Sequence, residues 1–239
     1  MKPKLLFLHY FGGSKREWDG VIARLGGRFE CVAVDAPGFG DAASVDGFTV
    51  QEMVAWLLLL DTCHLLQRCV VVGHSMMGKV AMVAAAQGMK MAGMVLVAPS
   101  PLEPEPMTEE ARAKMVEARG SEAGAREFFM KGAKRELSEA MIRQGTEDVL
   151  RSDAEAWRRW PQSGSREDWS GAVEPIEVPC LVVVGALDEA IPLAFQREKT
   201  MGHLKEARLE MLEGVGHLVP YEAAEELSGL IEGFVGEVG

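Results

Sequence analysis

Several things are missing from this sequence of 239 residues. No apolar run approaches the ~18 residues that mark a membrane-crossing helix. Basic residues are outnumbered: 25 Lys and Arg face 36 Asp and Glu, the net charge is −11, and no Lys/Arg cluster offsets it. Such a surface repels a nucleic-acid backbone or an anionic membrane on average, so neither is expected as a partner. Cysteine is scarce, at 31, 63, 69 and 180. Cys63 and Cys69 are too far apart for a redox C-x-x-C pair, and no second Cys/His pair completes a zinc spacing. The expectation is four reduced thiols in a cytoplasmic protein with no metal. Gly12-Gly13 lies in neither a Walker nor a Rossmann spacing, so no nucleotide cofactor is expected. Internal repeats and low-complexity segments are absent too.

What is present is an ordinary globular composition, 48% apolar and 26% charged. Leu5–Phe11 follows two lysines and resembles a leader peptide, but it is short, holds His9 and lacks a small-residue cleavage site. A buried strand is the expected reading, over Leu5–His9. Further apolar runs follow at Cys31–Val34, Val70–Val72, Met94–Val97, Leu181–Val184 and, more weakly, Ala207–Leu212. Most are Val- or Leu-rich and bounded by Gly, Pro or Asp, as buried parallel strands are. Helical patterns lie between and after them, at Trp18–Leu25, Val50–Leu66, Met76–Gln87 and Tyr221–Val235. The alternation predicts an open α/β sheet with helices on both faces.

It breaks between Ser100 and Val178. Prolines 99, 101, 104 and 106 stiffen the exit, and four helical patterns follow at Thr108–Arg119, Glu122–Met130, Arg135–Gln144 and Glu147–Trp160. Residues 101–170 read as a helical cap inserted into a core of residues 1–100 and 171–239. The cap would lie over the carboxyl end of the sheet, where open α/β sheets bind ligands.

Three segments carry chemistry. Val70-Val71-Val72-Gly73-His74-Ser75-Met76-Met77-Gly78 reads as strand, sharp turn and helix, which would project the Ser75 hydroxyl from the sheet edge. A plain helix N-cap is the other reading of Ser75. The strict G-x-S-x-G motif fails, because Met77 stands where the second Gly belongs. Asp188 follows the strand Leu181–Val184, and His217 lies in Gly214-Val215-Gly216-His217 before the last helix. Ser, Asp and His in this chain order, each at a strand end, suggest a nucleophile, an orienting carboxylate and a general base.

With these residues the chain resembles the α/β-hydrolase superfamily, in its small, capped serine hydrolase form, over essentially its whole length. Leu8-His9-Tyr10-Phe11-Gly12-Gly13-Ser14 is similar to the family's His-Gly loop, with Tyr10 in place of the usual Gly. Asp35-Ala36-Pro37-Gly38-Phe39-Gly40 is similar to its Asp-x-Pro-Gly-x-Gly turn. The resemblance implies about six mostly parallel strands, because the chain begins almost at the strand before the His-Gly loop. It also implies a catalytic triad of Ser75, Asp188 and His217, and an oxyanion hole from the backbone N–H groups of Phe11 and Met76.

Candidate pocket residues are Tyr10, Met77, Phe128, Phe129, Trp157, Trp160 and Leu218, with core packing as the plainer reading of the cap aromatics. Met77 either fills a gap locally or narrows the acyl pocket. The expected function is cofactor-independent hydrolysis of a small to medium, partly apolar carboxylic ester through an acyl-enzyme. Lactone, C–C or amide hydrolysis and perhydrolysis stay open, because one triad serves them all. A ligand sensor on a hydrolase scaffold is the alternative of another class, suggested by Met77 and Tyr10.

Overall fold

The apolar runs become six strands, β1 (Lys4–Leu8), β2 (Glu30–Val34), β3 (Val70–His74), β4 (Gly93–Val97), β5 (Cys180–Gly185) and β6 (Ala207–Leu212), in a computed structural model that describes residues 2–62 and 68–238. They form one sheet in the order β2-β1-β3-β4-β5-β6, parallel throughout. Parallel neighbours cannot be joined by tight turns, so the links cross over the sheet as helices. These are α1 (Asp19–Leu25), α2 (Val50–Thr62) and α3 (Met76–Ala86). The predicted helix over Val50–Leu66 is described as far as Thr62; its remainder, with Cys63 and His64, lies outside the described residues. Cys31 and Cys180 are reduced, in β2 and β5.

Side chains alternate across the sheet, as the pleat requires. Leu5, Phe7, Val70 and Val72 pack with Val21 and Leu25 of α1 on one face. Leu6, Leu8, Val71 and Leu96 pack with Val54 and Leu57 of α2 on the other. From β1 the chain steps to β2, then crosses back to β3 on the opposite side of β1. The loops leaving β1 and β3 therefore part at the carboxyl edge and open a crevice there.

Between β4 and β5 lie α4 (Glu109–Ala118), α5 (Glu122–Gly132), α6 (Glu139–Arg151) and α7 (Ala154–Gln162). Each starts on a side chain that accepts first-turn N–H groups: Thr108, Ser121, Ser138 and Asp153. The sequence reading put a helix break near Gly145-Thr146, and this is corrected: α6 runs straight through. Thr146 Oγ1 donates to the Ile142 carbonyl at 2.7 Å, and a β-carbon at Gly145 would enter the Phe129 ring, so the glycine seats α5 on α6. The break falls at Ser152-Asp153, where Asp153 Oδ1 accepts from the N–H groups of Glu155 and Ala156.

After β5 comes a single turn, α8 (Leu193–Phe195). The final predicted helix is two, α9 (Val219–Glu222) and α10 (Ala224–Val238). Leu227, Ile231 and Phe234 of α10 pack with α1 on the same sheet face. Among the described residues no helix is long and apolar enough to cross a membrane.

Gly145→Ala should press a methyl group into the buried Phe129 ring. Overpacking of this kind costs about 1–3 kcal/mol. The expected result is a melting temperature lowered by roughly 2–10 °C, measured by circular dichroism. An unchanged value would contradict the close α5–α6 contact.

Candidate active site

Ser75 follows β3 with φ 50° and ψ −116°. Residues other than glycine avoid that region, at a cost of about 1–3 kcal/mol. Its neighbours hold it there. The Ser75 N–H donates to the Val97 carbonyl at 2.9 Å, and its carbonyl accepts from the Gly78 and Ser100 N–H groups, both at 2.9 Å. The hydroxyl caps no N–H of α3, so the N-cap reading falls. A β-carbon at Gly73 would meet the Met77 carbonyl oxygen at 2.8 Å, and one at Gly78 would meet Pro99 Cβ at 2.7 Å. The close approach of helix and strand thus uses Gly73 and Gly78, and position 77 is left free for a larger side chain.

Ser75 Oγ donates to His217 Nε2 at 2.9 Å, and His217 Nδ1 donates to Asp188 Oδ2 at 2.8 Å. Asp188 Oδ1 accepts from the Ala190 and Ile191 N–H groups at 2.8 and 3.1 Å. Burial pushes the Asp188 carboxyl up, but His217 and these N–H groups outweigh it and hold the net below the usual range. Burial likewise pulls His217 down, but the Asp188 charge and hydrogen bond, helped by Glu105 and Glu17, leave it above 6.5. The three side chains come from the ends of β3, β5 and β6 and meet above the sheet edge.

The Phe11 N–H, after β1, and the Met76 N–H, opening α3, find no acceptor among the described residues. A cavity of about 750 Å³ opens over Ser75 and His217. Of the candidate pocket residues, Tyr10, Phe128, Phe129, Trp160 and Leu218 line it. Met77 and Trp157 do not, and both are corrected here. Met77 is fully buried in the core on the α2–α3 side of the sheet. Trp157 packs behind the wall, its ring 4.5 Å from Phe11 and 5.0 Å from Phe128, with Nε1 donating to the Met115 carbonyl at 2.9 Å. Among the described residues no cluster of His, Cys, Asp and Glu could hold a metal ion.

Two buried acids that hold the histidine loop have no motif in the sequence. Glu17 is fully buried, and burial raises its carboxyl well above the usual range. His74 beside it is pushed down to about 3, chiefly by burial. A neutral Glu17 donates to His74 Nδ1 at 3.3 Å, and a neutral His74 donates from Nε2 to the His217 carbonyl at 2.9 Å. The chain of bonds ties the His217 backbone to the turn after β1, because Glu17 Oε2 also accepts from the Tyr10 N–H. Glu222 fixes the other side. Its carboxylate accepts from the N–H groups of Gly216, Leu218, Lys134 and Arg135 at 2.7–3.1 Å. The only sequence signal for Glu222 was an acid one turn past the histidine loop.

The profile of the alpha/beta hydrolase family matches residues 5–230 of this chain. Solved structures share the fold at low identity. An esterase from Exiguobacterium antarcticum is 17% identical with a TM-score of 0.88, over 98% of this chain and 92% of that one. An enol-lactonase from Burkholderia xenovorans is 20% identical with a TM-score of 0.83, over 99% and 92%. A curated relative, 2-succinyl-6-hydroxy-2,4-cyclohexadiene-1-carboxylate synthase of Salmonella paratyphi C, is 34% identical over 86 residues, which is 36% of this chain and 34% of that protein. The chain thus covers about a third of the length of that relative.

Glu222→Ala leaves four N–H groups without their acceptor, those of Gly216 and Leu218 buried and those of Lys134 and Arg135 half-buried. Hydrogen bonds to charged groups contribute about 1.5–3 kcal/mol each, so the loss should be at least about 3 kcal/mol. Glu222→Gln, with one acceptor oxygen, should recover part of it. Urea unfolding measures both, and a loss below about 1 kcal/mol in the alanine variant would contradict the role.

Proposed function

The chain belongs to the alpha/beta hydrolase family, and we propose that within it the protein is a serine hydrolase cleaving a small to medium, partly apolar carboxylic ester. The observation that carries this reading is the unbroken line from Ser75 Oγ through His217 to Asp188, at 2.9 and 2.8 Å, beneath a cavity walled by Phe128, Phe129 and Trp160. A serine hydroxyl is a weak nucleophile and needs a base within hydrogen-bond reach. His217 Nε2 takes the Ser75 proton as Oγ attacks the ester carbonyl, and later returns it to the leaving alcohol. Asp188 holds the tautomer and stabilises the imidazolium. The oxyanion faces the N–H groups of Phe11 and Met76, each of which supports the transition state by about 3 kcal/mol. Water then hydrolyses the acyl-enzyme by the same route.

The enol-lactonase likeness keeps cyclic esters within this reading, since the chemistry at the carbonyl is the same. A reaction like that of the curated synthase is less well supported. That protein's name describes a product with a succinyl group and a ring carboxylate. Among the described residues no arginine lines this cavity; of its three lysines, Lys114 and Lys134 are paired with Glu110 and Glu189, and the buried Glu105 lines it as well.

Ser75→Ala should lower turnover of p-nitrophenyl esters by at least about 10³-fold, with an unchanged melting temperature. Retained turnover would remove Ser75 as nucleophile. The base works only when neutral, so kcat/KM should rise with pH through a midpoint above 6.5, since the His217 pKa is raised. In Asp188→Asn the charge favouring the imidazolium is gone. The midpoint should then move down, and kcat should fall by about 10⁴-fold. A midpoint that stays in place would contradict the pairing of Asp188 with His217.

A further inference from the structure

A carboxyl group leaves water at a cost that only hydrogen bonds or a counter-charge offset. Glu105, on the segment leaving β4, is 8% exposed and lines the cavity alongside Ser75. Its backbone is fixed from both sides. The N–H donates to the Ser165 carbonyl at 2.8 Å, and the carbonyl accepts from the Met107 N–H at 2.7 Å. Ser100 Oγ donates to Glu105 Oε1 at 2.5 Å, and the Ser100 N–H donates to the Ser75 carbonyl at 2.9 Å. The carboxyl is therefore one residue removed from the Ser75 turn and is rigidly placed.

Its second oxygen, Oε2, has no hydrogen-bond partner among the described residues, and it is not sealed from the cavity as Glu103 Oε2 is from its surroundings. Lys79 and Arg112 attract it through space, but neither hydrogen-bonds to it. Lys79 Nζ donates to the carbonyls of Glu103 and Glu167 at 3.2 and 2.8 Å. Arg112 donates to the Pro161 carbonyl, to Ser165 Oγ and to the carbonyl of Glu105 itself. Of the lysines around the cavity, Lys134 pairs with Glu189 at 2.9 Å and Lys114 with Glu110 at 2.7 Å. Lys131 is exposed. Burial raises the Glu105 carboxyl above its ordinary range, against the opposing pull of the Ser100 hydrogen bond and the charges of Lys79, His217 and Arg112.

We propose that Glu105 Oε2 is the polar anchor of the substrate pocket, and that the protein selects esters whose non-reacting end carries a hydrogen-bond donor, a hydroxyl or a protonated amine. The inference rests on the reading of Ser75 as nucleophile. A site with a buried polar group rejects an analogue that cannot pair with it, because the group is then left unsatisfied. A substrate carboxylate would meet like charge in a poorly solvated place. An ester ending in methyl would bury Oε2 against hydrocarbon.

The test compares methyl esters of four to eight acyl carbons ending in methyl, hydroxymethyl, aminomethyl or carboxylate, with kcat/KM measured by titrating released acid at pH 7. At one chain length at least, the hydroxyl and ammonium esters should exceed the methyl-ended ester by about 10-fold or more. The carboxylate should be the poorest. Glu105→Gln should keep a preference for hydroxyl, because the amide oxygen still accepts, and lose the preference for ammonium. Glu105→Leu should place the methyl-ended ester first. If the leucine variant does not fold, loss of the ammonium preference in the glutamine variant carries the test. A wild type that prefers methyl or carboxylate ends at every length, or an order unchanged by both substitutions, overturns the proposal. Ser75→Ala is run alongside. If it hydrolyses as the wild type does, or the wild type hydrolyses none of the esters, the nucleophile reading fails and this one with it. If Ser75→Ala is inert while the order ignores position 105, only the Glu105 anchor falls.

Discussion

Ser75 occupies a backbone conformation that its own β-carbon disfavours, and much of the surrounding structure serves to keep it there. The strain is of order 1–3 kcal/mol and would relax if its neighbours gave way. β4 and the segment that leaves it prevent that, with the Val97 carbonyl and the Ser100 N–H gripping the residue. The glycines at 73 and 78 let α3 start within contact of the sheet and of Pro99. Because the turn is fixed, the hydroxyl points away from α3 towards His217 instead of capping the helix.

A fixed serine is of use only if the histidine loop is fixed as well. His217 lies in a glycine-rich segment with little intrinsic preference for one shape. The Glu222 carboxylate gathers four N–H groups from this loop and from the segment just after α5, and so ties the histidine to the helical insertion. On the far side, the neutral Glu17–His74 pair holds the His217 carbonyl. The same low-dielectric setting that keeps these two groups uncharged strengthens the attraction between His217 and Asp188. The proposed base is thus positioned by buried groups that take no part in proton transfer themselves.

The sheet was legible because buried parallel strands are written as short Val- and Leu-rich runs, and all six appear where those runs lie. Ser75, Asp188 and His217 were legible because each follows such a run. The helical insertion was read less well. Gly145-Thr146 looks like a stop, yet the glycine is there to admit Phe129 and the threonine bonds back to its own helix. Trp157 is an aromatic at helical spacing like its neighbours, and only packing shows that it backs Phe11 rather than facing the cavity. Met77 broke a motif whose physical purpose, close helix–strand contact, is met by other residues. Glu17, Glu105 and Glu222 could not be picked out among 36 acids. Their roles come from burial and partners, which no local pattern encodes.

The most direct test of a Ser75 made nucleophilic by His217 is covalent trapping. The protein would be incubated with a fluorophosphonate, digested, and the adduct located by mass spectrometry. One adduct per chain is expected, on Ser75, formed at a rate that collapses in His217→Ala. Full ester hydrolysis with Ser75 unmodified, or labelling that does not depend on His217, would contradict it.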